Sequence, residues 1–113
     1  MIHAVIYQNE RKECTGFQIE GHAGYAQAGQ DIVCAAVTVL AVNTMNAIER
    51  YADDKFSAIS DEEAGLIACH FSGVPSYEAN LLLNAMILGL SEMAHDENYE
   101  TYIDLTFEEV QQP

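Results

Sequence analysis

The sequence predicts an α+β domain of two layers, a mostly antiparallel sheet with two helices on one face, in the element order ββαββαβ. Three observations carry that prediction. Four short apolar or alternating runs read as two hairpins, each hairpin is followed by a long segment of helical periodicity, and one more alternating run follows the second helix. At 113 residues a single core leaves no room for a second, so residues 1–113 are read as one domain.

Ile2 to Tyr7 is apolar and partly β-branched, and after the polar turn Gln8 to Lys12 the run Cys14 to Gly21 sets Phe17 and Ile19 on one face. These form the first hairpin. The stretch Gly21 to Gln30 contains three glycines and predicts a mobile loop rather than regular structure. Asp31 is a good N-cap for a helix over Ile32 to Ala52, with Val33, Val37, Leu40, Ala41, Ile48 and Tyr51 at helical spacing. The opposite face carries Ala36, Val39, Val42 and Ala47, so this helix is either central or covered by a partner subunit.

Phe56 to Ser60, an acidic turn at Asp61-Glu62-Glu63, and Leu66 to Phe71 make the second hairpin, with Ile67, Cys69 and Phe71 on one face. Gly73 and Pro75 end it. Ser76 caps a second helix running to about His95, with Leu82, Leu83, Met86, Leu90 and Met93 as its stripe, widened by Leu81, Ala85 and Leu88. Tyr99 to Phe107 then alternates, with Tyr99, Thr101, Ile103, Leu105 and Phe107 on one side, as a half-buried strand at an edge or exposed on one face. Two helices with excess apolar surface favour a homodimer.

Four Lys and Arg against 18 Asp and Glu give a net charge of −14. That balance repels a phosphate backbone, argues against direct nucleic-acid binding and favours a basic peptide as partner. Half of the residues are hydrophobic, which argues against disorder. An odd cysteine count (Cys14, Cys34, Cys69) and a start without a basic, apolar leader favour a reduced cytoplasm. The longest strongly apolar stretches, around Val33 to Val42 and Leu81 to Leu90, are about half of the roughly 20 residues that cross a bilayer, so no transmembrane helix or membrane partner is expected.

No C-x-x-C, H-x-x-x-H or phosphate-binding glycine motif occurs, so neither a metal nor another cofactor is expected. Cys69 and His70 are adjacent on a strand and point to opposite faces, which suits neither joint chemistry nor ligation. Cys69 reads as core. His95 suits the negative end of the second helix, and the runs Asp53-Asp54 and Asp61-Glu62-Glu63 read as solvated turns.

Chemistry concentrates around Cys34. With Asp31 as cap, Cys34 is the third residue of the helix, where unpaired amides and the positive end of the dipole stabilise a thiolate. It is a nucleophile there, or a buried small hydrophobe. His22 closes the second strand before the loop, and its parity groups it with Gln18 and Glu20, away from Phe17 and Ile19. Only eight residues separate it from Asp31, so it is within reach as an ion-pair partner for Cys34; otherwise it is a solvated loop histidine. Asp31 is an N-cap or a residue that orients His22. Thr38, one turn beyond Cys34, lines a pocket or packs on its own backbone.

The segment Gly21-His22-Ala23, a glycine-containing loop and Asp31-Ile32-Val33-Cys34-Ala35-Ala36, in a chain of this length and element order, resembles the Prp family of ribosomal-processing cysteine proteases. The likeness covers essentially the whole chain. It implies a catalytic pair of His22 and Cys34, a homodimer, and a substrate loop over Ala23 to Gln30, including Gly24, Tyr25 and Gly29, that orders over bound peptide. It also implies a substrate, the basic N-terminal extension of a large-subunit ribosomal protein, the twenty-seventh in the usual list, cut after an aromatic residue. In the implied reaction Cys34 attacks the peptide carbonyl, His22 protonates the leaving amine, and amides of Cys34 or its neighbours hold the oxyanion. The other reading is a non-catalytic acidic module that docks on a basic ribosomal protein or assembly factor, with Cys34 inert.

Overall fold

A computed structural model describes residues 1–27 and 31–111. It has seven elements: β1 (Ile2–Gln8), β2 (Cys14–Glu20), α1 (Ile32–Tyr51), β3 (Phe56–Asp61), β4 (Leu66–Phe71), α2 (Tyr77–His95) and β5 (Ile103–Glu109). The strands form one sheet in the order β3-β4-β2-β1-β5. Neighbours pair antiparallel except β1 and β5, which run parallel. A parallel neighbour needs a crossover, and the hairpin and helices between β1 and β5 supply it. The sheet is therefore mixed, with the expected ββαββαβ order.

Register explains the core. Ile6 lies opposite Phe17 and Ala4 opposite Ile19, while Phe17 and Ile19 lie opposite Cys69 and Ile67 across β4. These residues, with Ile2, Phe71 and Ile103, are buried on the face that carries the helices. Onto it α1 lowers Val33, Val37, Ala41, Thr44 and Ile48, and α2 lowers Ala79, Leu83, Met86 and Leu90. Ser76 caps α2 as expected, its hydroxyl accepting the Ala79 amide at 3.1 Å. A Cβ on Gly89 would lie 3.1 Å from the Leu40 side chain, so the missing side chain lets the two helices approach.

Four expectations change. The last strand begins at Ile103 rather than Tyr99, because the amides of Tyr99, Glu100 and Tyr102 are spent in local turns on the carbonyls of Asp96 and Tyr99. Tyr51 does not join the core stripe: it is the last residue of α1 and 70% exposed, with the Arg50 guanidinium 5.9 Å from its ring. Asp61 belongs to β3 rather than to the acidic turn. By length and composition α1, at 20 residues, is apolar enough to cross a bilayer, because Met45, Ala47 and Ile48 beyond Val42 prolong its apolar character; here its inner stripe lies against the sheet.

Each helix turns an apolar row away from the sheet, with Val39 on α1 and Leu81 and Leu88 on α2 exposed. At one edge of the sheet, β3 is exposed from Ser57 to Asp61. The space between α1 and the β3–β4 hairpin is thereby left open, and the candidate site occupies it.

Candidate active site

The site is assembled where β2 ends and α1 begins. Asp31 sits in extended conformation at the N-cap, and its Oδ1 accepts the amides of Val33 and Cys34, each at 3.0 Å. Its Oδ2 accepts the amide of Tyr25 at 3.0 Å, which ties the loop to the helix start. Burial pushes the Asp31 carboxyl up, but the amides of Cys34, Tyr25 and Ala26 and the Cys34 thiol outweigh it and hold the group below the usual aspartate range. The bonds formed are those of a cap.

Cys34 is half-buried, and its Sγ accepts the amide of Ala23 at 3.3 Å. Cys14 and Cys69 are buried, and burial pushes their thiols up to about 11 and about 12 respectively. Only Cys34 of the three opens onto a cleft. The helix-start amides offered by the sequence as oxyanion donors are already engaged, since Val33 and Cys34 donate to Asp31 Oδ1 and Ala35 donates to the Asp31 carbonyl at 3.1 Å.

His22 reaches the site by a route that strand alternation does not describe. β2 ends at Glu20, and Gly21 takes φ 101°, a left-handed backbone that redirects the chain before His22. Grouping His22 with Gln18 and Glu20 therefore fails. Its Nε2 lies 3.1 Å from the carbonyl oxygen of Glu63, in the turn between β3 and β4.

Two clefts meet at these residues. One of about 320 Å³ runs between α1 and the β3–β4 hairpin, past Val42, Asp61, Glu62 and Leu66. The other, of about 660 Å³, opens toward the loop past Gly24, Ala26, Asp31 and Val39. His22, Cys34 and Thr38 line both.

The loop residues differ in their placement. Ala23 is buried, Gly24 is left-handed at φ 73°, and the Tyr25 ring stands edge-on to Tyr102 with centroids 5.1 Å apart and tilted against Tyr99 at 6.3 Å. Gly29 lies outside the described residues. Among the described residues, no group of three or more His, Cys, Asp or Glu side chains is placed to hold a metal ion. Sequence reasoning missed the β3–β4 turn, which it read as solvated; Asp61 and Glu62 wall the cleft and Glu63 faces His22. Gly65, closing that turn at φ 64°, was the available signal.

Residues 1–104 match the family described as the cysteine protease Prp. This chain belongs to the Prp family. Among its relatives, the ribosomal processing cysteine protease Prp of Bacillus subtilis is 33% identical over 102 residues, which span 85% of this chain and 89% of that protein. The protein of the same name from Staphylococcus aureus is 27% identical over 107 residues, covering 95% and 99%. A crystal structure of the S. aureus Prp protease with a covalently linked product peptide superposes with a TM-score of 0.88 at 27% identity, over 96% of this chain and all of that one. A second structure of that protease, with a substrate peptide, gives 0.83 at 26% identity, over 96% and 100%. The Prp likeness thus extends across the fold and both sides of the cleft.

Proposed function

We propose that this member of the Prp family is a cytoplasmic cysteine endopeptidase that removes the basic N-terminal extension of a large-subunit ribosomal protein, the twenty-seventh, with Cys34 as nucleophile and His22 as acid–base partner. The observation that carries this reading is the shared lining of the two clefts by His22, Cys34 and Thr38. An extended peptide crossing from one cleft to the other passes over the Cys34 sulfur.

In this mechanism the Cys34 thiolate adds to the scissile carbonyl, and His22 gives its proton to the departing amine as the C–N bond breaks. Water then adds to the thioester, with His22 taking its proton, and the Cys34 sulfur leaves. The Ala23 amide stabilises the thiolate first. Once sulfur is bonded to the carbonyl carbon, the developing oxyanion is within reach of the same amide, which takes the role that the engaged helix-start amides cannot. Gly24 and Ala26 form the loop side of the peptide site, which Thr38 also lines.

The charge of −14, with Asp61 and Glu62 on the cleft wall, favours encounter with a basic extension. The apolar outer rows of α1 and α2 fit a homodimer that covers them. The test is incubation of the protein, and of its Cys34→Ala variant, with the extended ribosomal protein, followed by mass spectrometry of the N-terminus. Only the unsubstituted protein should shorten it. Binding without cutting by both would replace the protease reading with that of a docking module.

A further inference from the structure

The turn between β3 and β4 meets Gly21 and His22 through its backbone. Gly65 donates its amide to the Glu62 carbonyl at 3.2 Å and accepts the Gly21 amide at 3.1 Å. Ala64 donates to Asp61 Oδ1 at 3.2 Å. A Cβ added at Gly65 would lie 2.5 Å from the Gly21 carbonyl oxygen and 3.0 Å from His22 Cε1, and φ 64° itself disfavours a side chain. The turn is thus stiffened within and pressed against the segment that carries His22.

From this geometry we infer that the β3–β4 turn is the positioning element of the site: the Glu63 carbonyl accepts a hydrogen bond from His22 Nε2 and fixes the imidazole, and Gly65 makes the approach possible. A carbonyl only accepts, so Nε2 must carry the proton for this bond to exist. Nδ1 is then the nitrogen that exchanges a proton with Cys34 and with the leaving amine. The turn does by main chain what an orienting side chain does elsewhere, while Asp31 is occupied with amides at the helix start. This assignment rests on His22 acting with Cys34, as proposed above.

Two measurements test it. In the Cys34→Ala protein labelled with 15N, two-bond ring correlations report which nitrogen of neutral His22 is protonated; Nε2 is expected, and protonation at Nδ1 would overturn the assignment. In Gly65→Ala, kcat on the extended ribosomal protein should fall by about 10- to 100-fold with KM nearly unchanged, since a ring held out of line slows the chemistry more than it weakens binding. A Gly65→Ala enzyme with unaltered kcat also overturns it. If that variant does not fold, the ring correlations in the Cys34→Ala protein still decide. Cleavage that survives His22→Ala would instead remove the catalytic reading itself, a distinct failure.

Discussion

Cys14, Cys34 and Cys69 have the same side chain and different surroundings. Iodoacetamide at neutral pH should therefore place one adduct on the folded protein, at Cys34, while the two thiols pushed up to about 11 and 12 react only after unfolding; peptide mapping reads the site, and modification of Cys14 or Cys69 at a similar rate would contradict it. Asp31 makes a pH prediction. Its folded-state value is lowered, so the stability it contributes is fully present above the ordinary aspartate value, about 3.9, and is lost as the pH falls through the lowered value. Asp31→Asn keeps a good capping residue without the charge, so urea midpoints for the variant should drop less between pH 6 and pH 3 than those of the parent. At this scale Cys34 and Asp31 were legible because a cap and a first-turn position are local properties. The engagement of the helix-start amides and the Glu63 carbonyl facing His22 were not, since both depend on where separate segments come to rest.

Elements were more legible than their ends. Both hairpins and both helices follow from alternation and period, which are set by which face is wet, whereas the last strand was read four residues early because Tyr99 and Thr101 continue an alternation that turn hydrogen bonds override. Pairing across the sheet was illegible for the same reason. β2 and β4 approach so closely at Gly16 that an added Cβ would stand 2.5 Å from the Cys69 carbonyl oxygen. Gly16→Ala should therefore part the two central strands locally, costing about 1–3 kcal/mol in chemical denaturation; an unchanged midpoint would show that the strands can yield there without loss.

For the molecule as a whole, the sequence disclosed two apolar helices but not that their outer rows would both lie on the face away from the sheet. If a second copy covers that face, sedimentation should report twice the chain mass of 12.4 kDa, and Leu88→Glu should restore the single-chain value. A native protein that sediments at 12.4 kDa at all concentrations would discard the dimer. Leu88 lines neither cleft, so a loss of activity that accompanies the loss of the dimer in that variant would report on assembly.

The parallel pairing of β1 with β5 also bears on timing. Its register sets Ile2 beside Ile103, and the Ile2 amide donates to the Tyr102 carbonyl at 2.9 Å, so a residue lining the cleft beside Cys34 is clamped by a segment translated about a hundred residues later. On a translating ribosome β1 emerges well before β5, yet the edge of β1 that β5 covers finds no partner until β5 has left the exit tunnel. The closure entropy of so long an interval makes this a late contact. The cleft wall at Ile2 is thereby completed only when the closing strand is in place, so the last segment made is the one that finishes the first.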